Sequence, residues 1–359
     1  MEFIELAELC DKGSSNLAQK DLVFDSGIYP VYGASGEITK VDFFHQSKPY
    51  LGLIKDGAGV GRVMQLPANS SVIGTIQYIF PKENVDLKYL YYLIKYLDLG
   101  KSNTGATIPH IYFKDYKKRK VKVREYSVQK HIGQILELID SHLRIYIKVL
   151  EQYDLLIKSR FVELFGDVVL NTLNWPLVKL SAIAEYRIGL TYKPEAVSSS
   201  GIAVLRSGNI QNSQLCYEDT IYVNSKVDPK LLLKKNDILM CARNGSQSLV
   251  GKVALIENDI SNTTYGAFMM AISSKYYVYL FEYFRSQAFR RLISVGSTTT
   301  INQVTTRMLN SIVIPLPDLD TINRFALYHS QINKLKSDVQ KSIDETQLLM
   351  DSLMQEYFG

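Results

Sequence analysis

The stretch of the sequence that most suggests chemistry is a glycine-rich run at residues 56–61, Asp-Gly-Ala-Gly-Val-Gly. Such a run binds S-adenosylmethionine or a dinucleotide when a strand precedes it, a helix begins on it and an acidic residue follows about 20 residues later. Here residues 62–67 read Arg-Val-Met-Gln-Leu-Pro, a β-rich segment that ends in proline. Because no helix can begin on these amides, we interpret the run as a tight turn between two strands.

Other residue types that catalyse reactions or hold metals show no useful spacing. The Asn-Pro-Pro-aromatic segment of amino-methyltransferases and the phosphate-binding Gly-x-x-x-x-Gly-Lys-Ser/Thr motif are both missing from the sequence. The cysteines form no Cys-x-x-Cys pair and the histidines lack the spacing of metal ligands. These residues are Cys10, Cys216, Cys241, His45, His110, His131, His142 and His329. The sequence therefore predicts no catalytic, cofactor-binding or metal site.

Side chains suited to nucleic acid are easier to find. Lys and Arg on mobile stems contact phosphates, whereas Arg, Asn and Gln on rigid supports read base edges in a groove. A dense basic run at 114–124 includes three DNA-binding candidates, and the rest lie in loops that follow predicted strands. The candidates are Lys117, Lys118 and Arg119 in the basic run, Lys55, Arg62, Lys101, Asn103 and Thr107 in other loops of the first half, and Arg206, Asn209, Gln211, Arg243, Asn244, Gln247 and Lys252 in the second half.

A plainer interpretation exists for each of these residues taken alone. The basic run equally fits a solvated face beside a helix, and a loop residue more often faces water or caps a helix than contacts a base. The net charge of +5 is compatible with nucleic acid without requiring it. The prediction of DNA binding therefore depends on the candidates as a group near glycine turns.

Two long helices must position these loops, because residues 121–166 and 314–359 align with each other without a gap. The alignment pairs Ile139 with Ile332 and ends with Phe165-Gly166 on Phe358-Gly359. Apolar residues recur every seven positions in both copies, a spacing that needs a partner helix. We therefore predict that the two helices pair along a seam of Ile132, Ile139, Tyr146, Tyr153, Phe325, Ile332, Val339 and Leu353. Two ordinary amphipathic helices in one core would explain the spacing but not the ungapped repeat.

The segments between the helices repeat as well. Residues 175–183 correspond to the start of the chain, the stretch ending in Val250-Gly-Lys-Val to the one ending in Val60-Gly-Arg-Val, and residues 297–304 to 104–111. The sequence thus predicts an α+β chain in which a globular domain and a long helix occur twice. The predicted boundaries are 1–124 for the first domain, 125–170 for the first helix, 171–317 for the second domain and 318–359 for the second helix.

Length and composition agree with that organisation. A chain of 359 residues is too long for one typical core and suits two domains. The acidic start has none of the features of a signal peptide, and no apolar run is long enough to span a membrane. The scattered cysteines fit a reducing compartment. We expect a cytoplasmic protein.

In motif order the sequence resembles the specificity subunit of type I restriction-modification systems. The resemblance lies in Trp-x-x-Val-x-Leu at 175–180, Gly-Ala-Thr-Ile-Pro at 105–109, Ile-Pro-Leu-Pro at 314–317 and the two closing Phe-Gly pairs. Each motif alone is weak, but their order and double occurrence cover essentially the whole chain.

The resemblance implies two target-recognition domains that each read half of a split double-stranded DNA sequence. It also implies that the two helices pair antiparallel as a spacer and dock methyltransferase subunits, expected to be two, with restriction subunits joining the complex. S-adenosylmethionine would then bind to the methyltransferase subunits, and this chain would not be an enzyme. The host would be bacterial or archaeal.

Two functions of other classes compete with this interpretation. A self-contained adenine methyltransferase with an added recognition domain would bind the cofactor by itself, and the missing catalytic motif opposes it. A purely structural helical scaffold would never contact DNA. Cofactor binding by the isolated chain tests the first, and gel-shift assays of the complex test the second.

Overall fold

The computed structural model describes residues 2–102, 109–295 and 302–359. By its internal contacts the chain divides into two units: unit 1 comprises Met1–Val149 and Val339–Gly359, and unit 2 comprises Leu150–Asp338. The predicted fold class is confirmed, because both units combine sheets and helices in the same order and each takes half of two long helices.

The described residues of unit 1 form nine strands in three sheets. The strands are β1 (Glu2–Glu5), β2 (Cys10–Ser14), β3 (Tyr29–Gly33), β4 (Gly36–Val41), β5 (Tyr50–Ile54), β6 (Val63–Leu66), β7 (Ser71–Val72), β8 (Ile76–Pro81) and β9 (Lys120–Val123). One sheet is antiparallel with the order β2-β8-β5-β6, a second has the order β4-β3-β7 with β3 and β7 parallel, and β1 pairs with β9. Its helices are α1 (Leu6–Leu9), α2 (Leu87–Leu97), α3 (Phe113–Tyr116) and the start of α4 (Tyr126–Phe165).

Unit 2 repeats this topology. Its strands are β10 (Leu177–Lys179), β11 (Glu185–Ile188), β12 (Val197–Ser198), β13 (Ile202–Leu205), β14 (Ile210–Gln211), β15 (Gln214–Leu215), β16 (Ile221–Val223), β17 (Ile238–Cys241), β18 (Val253–Leu255), β19 (Thr263–Tyr265), β20 (Met269–Ser273) and β21 (Val313–Pro315). The order β11-β20-β17-β18 matches β2-β8-β5-β6, and the parallel pair of β13 with β19 matches β3 with β7. The helices are the end of α4, α5 (Tyr277–Arg285), α6 (Gln287–Val295), α7 (Thr306–Ser311) and the start of α8 (Leu319–Phe358), whose end belongs to unit 1.

Each unit closes its core around the end of a long helix. In unit 2 the ring of Phe165 lies 5.0 Å from that of Tyr279 and 5.2 Å from that of Phe325. In unit 1 the ring of Phe358 lies 5.2 Å from that of Tyr89. The Phe-Gly pairs that end both sequence repeats therefore have the same structural reason, which is to bury a large ring against the helix that follows the main sheet.

The predicted helical pair is present in each unit as half of α4 beside half of α8. In unit 2 Lys336 Nζ donates to Asp154 Oδ1 at 2.8 Å, and Phe325 contacts Phe161. Residue numbers therefore increase along α4 as they decrease along α8, so the two helices run antiparallel. The halves do not form an isolated coiled coil, because each also packs on its own globular core. Of the predicted seam residues, the buried ones are Ile132, Ile139, Phe325 and Ile332, and the partly buried ones are Tyr146, Tyr153, Val339 and Leu353.

The helix α4 and the helix α8 lie within the predicted segments 125–170 and 318–359. The unit division instead cuts both helices near their middles, so the domain boundaries drawn from the sequence stay a prediction. Among the helices of the described residues, none has the length and apolar character needed to cross a membrane.

Candidate nucleic-acid interface

Three loops of unit 2 meet at the ends of β13, β17 and β19, and the segment before α7 joins them through Gln303. Asn244 Nδ2 donates to Ser207 Oγ at 3.1 Å, which joins the loop after β17 to the loop after β13. Arg243 pairs with Gln303 across an isolated bridge, and its NH2 group donates to Gln303 Oε1 at 3.1 Å. We call this group the unit 2 loop cluster, and its members are Arg206, Ser207, Arg243, Asn244, Phe268 and Gln303.

Arg243 is the chemically most distinctive member of the unit 2 loop cluster. Its guanidinium lies 5.7 Å above the ring of Phe268, within the range of a cation–π contact, and Phe268 is 59% exposed. A guanidinium has five N–H donors, and Gln303 takes one of them among the described residues. The side chain is thus exposed, charged and held from two sides, as base reading in the major groove requires.

Unit 1 builds the same backbone arrangement with different side chains. An isolated bridge joins Asp56 to His110, as one joins Arg243 to Gln303 in unit 2. The next residue after each bridge repeats the contact: Ile111 N donates to Lys55 O at 2.9 Å, and Val304 N donates to Ala242 O at 2.7 Å. Lys55 Nζ lies 3.5 Å from Asp56 Oδ2. The equivalent loops therefore present an acid–base pair where unit 2 presents an arginine.

The glycine-rich run at 56–61 connects β5 to β6, so its interpretation as a tight turn is confirmed. Gly57 and Gly61 have φ values of 92° and 86°, which side-chain-bearing residues rarely adopt. A Cβ at Gly61 would lie 2.1 Å from the backbone nitrogen of Gly100. Gly61 therefore serves a close backbone approach, Gly57 serves a positive φ with open space around it, and no helix begins on either.

Several predicted candidates already have partners inside the fold. Asn209 is 2% exposed, accepts from Arg206 N at 2.8 Å and donates to Cys216 O at 2.8 Å. Its amide holds the turn together, so this placement does not support a base contact for Asn209. Arg119 NH1 donates to Leu97 O at 2.9 Å, at the end of α2, and the backbone of the same segment pairs with α1. That contact gives the predicted basic run a structural role at this point.

The remaining candidates are more open. Lys101 is exposed beside Asp98 at 3.0 Å, and Lys118 and Gln247 are exposed while Lys117 is half-buried. Arg206 NH2 donates to Asp219 O at 3.3 Å and Gln211 Nε2 to Gly208 O at 3.4 Å, both near the turn that Asn209 holds. Asn103 and Thr107 lie outside the described residues. The structure thus brings Arg206, Arg243 and Asn244 together and leaves the basic run elsewhere in its own unit.

Sequence reasoning missed Phe268 and Gln303, which complete the unit 2 loop cluster. Gln303 could have been found, because the repeat places it over His110. Phe268 carried no signal, since a lone phenylalanine beside a strand is normally core.

The buried thiols offer no activated nucleophile. Burial raises the pKa of the Cys10 thiol to about 12 and also raises that of Cys241, so both stay protonated. Within residues 2–102, 109–295 and 302–359, no three metal-ligating side chains converge.

A family model described as the type I restriction modification DNA specificity domain matches residues 1–152 and 173–350. The chain therefore belongs to this family, and the two matches coincide with the two repeats seen in the fold. This confirms the prediction of a DNA sequence-specificity subunit without catalytic activity.

Individual relatives are distant. The type I restriction enzyme MjaVIII specificity subunit of Methanocaldococcus jannaschii is 22% identical over 84% of this chain and 76% of its own length. The StySPI specificity subunit of Salmonella potsdam is 27% identical over 41% of this chain and 33% of its own.

Among solved structures, the S subunit of a type I restriction-modification system from M. genitalium superposes with a TM-score of 0.67 at 17% identity, covering 100% of this chain and 96% of that one. A chain from a structure of type I restriction-modification complex assembly and conformational transition gives 0.54 at 13% identity, covering 99% and 97%. These likenesses show the shared fold.

Proposed function

We propose that residues 1–124 and 171–317 are target-recognition domains that each read one half of a bipartite double-stranded DNA target. The observation that carries the proposal is the repeated loop arrangement: the bridges at Asp56 and Arg243 are equivalent in backbone and opposite in charge. A framework that keeps the backbone and changes the side chains suits two domains with different base preferences, because base identity is read by donor and acceptor patterns.

The proposed readers of the second half-site are Arg206, Arg243 and Asn244. Arginine pairs with the O6 and N7 acceptors of guanine, and asparagine pairs with adenine. In the first domain the equivalent loops carry Lys55 and Asp56, which are the proposed counterparts of these readers. A carboxylate accepts from the N4 amine of cytosine, so the first half-site should carry different base pairs at this position.

The proposed partners are methyltransferase subunits, two per chain, with restriction subunits completing the complex. A contiguous patch of exposed apolar side chains marks an interaction site, and exposed apolar side chains recur along both long helices, where we propose that they form such a patch. They include Leu138, Ile145, Leu155, Val162, Leu327, Leu335, Leu348 and Leu349, each between 44% and 71% exposed. In this proposal S-adenosylmethionine binds to the partners, and the DNA target places the complex in the cytoplasm of a bacterium or archaeon.

One experiment tests the proposal directly. The chain is expressed with its methyltransferase subunits in a host that lacks other methylation, and the methylated positions are mapped by sequencing. We expect two short specified blocks separated by unspecified base pairs. The purified chain alone should transfer no methyl group and cut no DNA, whereas transfer by the chain alone would support a self-contained methyltransferase.

Docking on the helices has its own test. Replacing exposed Leu155 and Leu348 by aspartate should abolish co-purification of the methyltransferase subunits without unfolding the chain. The same replacement at Ser159, an exposed polar position on α4, serves as the matched control.

A further inference from the structure

A cleft of about 520 Å³ in unit 2 collects positive charge beside the candidate interface. Its walls carry Lys158 from α4, Gln211 and Asn212 from the β14–β15 hairpin, Lys252 before β18, and Arg285 and Arg290 from α5 and α6. We call it the Arg290 cleft. Four of these six side chains are cations, and no acidic side chain lines the cleft within the part of the chain that the structure describes.

The charge in the Arg290 cleft is only partly compensated. Arg285 pairs with Glu282 at 2.6 Å and lies 3.7 Å from Asp154, so its charge is balanced. Lys252 Nζ instead donates to Ile210 O at 3.1 Å, and Arg290 NH1 donates to Val250 O at 2.6 Å. A neutral carbonyl holds a cation in place without cancelling its charge. The concave wall therefore concentrates positive potential, which raises the local concentration of anions.

The first repeat keeps a cation at the position of Lys252. In Val60-Gly-Arg-Val and Val250-Gly-Lys-Val the third residue is basic in both copies. Arg62 NH2 donates to Ala34 O at 2.5 Å, and Ala34 follows β3 as Ile210 follows the loop after β13. The same kind of contact thus recurs in both units although the surrounding loops differ. A cation held this way suits a ligand that is common to both half-sites.

Arg290 also connects the cleft to the unit 2 loop cluster. It lines a second cleft together with Gln247, Asn302 and Gln303, and Gln303 is the residue that orients Arg243. It lines a third depression with Arg291. The basic surface therefore begins at the proposed reading residues, includes Arg290 on α6 and ends at Lys158 on α4.

We propose that the Arg290 cleft binds a phosphodiester group of the DNA backbone next to the base pairs read by unit 2. This inference rests on the proposed function. Lys252 and Arg290 would supply affinity and fix the position of the duplex, because phosphate contacts orient a protein on DNA without selecting sequence. Lys158 would add a further charge at the outer end of the cleft.

The test uses the full chain in complex with its methyltransferase subunits and a duplex that carries the mapped target. The variant carries Lys252→Ala and Arg290→Ala, and affinity is measured from low to moderate salt. We expect the magnitude of the slope of log K against log salt to fall by about 0.9, the value for one lost phosphate contact. Target and random duplexes should lose affinity by the same factor.

A matched control removes the same charge elsewhere in unit 2. Lys234 and Lys235 are exposed and line a separate cleft. Their double replacement by alanine should leave the slope unchanged. The conservative variant Lys252→Arg with Arg290→Lys should keep the wild-type slope, which separates loss of charge from loss of folding.

Methylphosphonate substitution, which neutralises one phosphate at a time, locates the contact. In the wild-type complex one substitution flanking the second half-site should weaken binding, and the same substitution should have no further effect on the alanine variant. A wild-type complex that binds no DNA would overturn the proposed function and this inference together.

Three outcomes would overturn the inference alone while DNA binding stands. The first is an unchanged salt slope in the alanine variant, and the second is a change in its sequence preference. The third is that inorganic phosphate raises the melting temperature of the wild-type complex but not of the variant, while both bind DNA equally well. The last would mark the cleft as a site for free phosphate.

Discussion

The two units share a backbone framework and differ in the side chains that it presents. Both units have the same sheet order, the same parallel strand pair and an isolated bridge just after β5 or β17. That bridge carries Asp56 in unit 1 and Arg243 in unit 2. Backbone ladders and buried rings define where the loops lie, and neither constrains which polar side chain stands on them. Recognition can therefore change while the fold persists.

The largest effect should come from exchanging one domain. Replacing residues 171–313 with those of a relative should change one half of the DNA target completely and leave the other half intact. Methylation mapping of the chimaera with its partners measures this. If both halves changed, or neither did, the division into two independent readers would be wrong.

The shared framework is tested by removing a ring from its core. Phe325 is fully buried against Phe161 and Phe165, so Phe325→Ala should lower the free energy of unfolding by about 3–5 kcal/mol. Trp175, the single tryptophan of the chain, reports the unfolding of unit 2 by fluorescence.

The control for that variant is Leu327→Ala on the same helix. Leu327 is 64% exposed, so the substitution should change stability by about 0.5 kcal/mol or less. Equal losses for the two variants would contradict the placement of Phe325 in the core.

A smaller effect should separate the two units at the bridge itself. Arg243→Gln should reduce discrimination at one G·C pair of the second half-site by about 1–3 kcal/mol, the value of one bidentate base contact. Binding to a set of duplexes with single base changes measures it, and Asp56→Asn is the counterpart for the first half-site. A uniform loss over all duplexes would show that Arg243 contacts only the backbone.

The smallest effect is common to both units and concerns alkaline pH. Burial raises the pKa of Tyr89 in unit 1 and of Tyr265 and Tyr283 in unit 2 to about 12, from 10.0. Their contribution to stability is fully present below pH 10 and is lost as the pH rises toward 12, because the unfolded chain ionises first.

At pH 11 the loss should be about 1 kcal/mol for each such tyrosine. Denaturant midpoints at pH 9 and pH 11 measure it. The variant Tyr265→Phe should show a smaller decrease between these values than the wild type, and an equal decrease would assign the effect to other groups.

The sequence predicted the repeated parts of this structure well and the local parts less well. The two repeated helices and the glycine turn could be predicted, because apolar periodicity and the need for a positive φ each require particular residue types at particular positions. The contact of Arg243 with Phe268 was not readable, since it depends on two loops that only the folded sheet brings together. Asn209 was a candidate base reader because of its residue type, but its side-chain amide is buried and bonds the backbone of Arg206 and Cys216 within the turn.

The path of the chain through the two units has a consequence for synthesis. Unit 2 is one continuous stretch, whereas unit 1 is completed by Met350, Met354 and Phe358, which the ribosome adds after all of unit 2. We therefore expect unit 2 to fold during translation, while the core of unit 1 stays incomplete until residues 350–358 have been synthesised. Folding unit 2 first also shortens the effective loop that unit 1 must close, which reduces its entropic cost. Unit 1, whose synthesis begins first, would then be the last unit to finish folding.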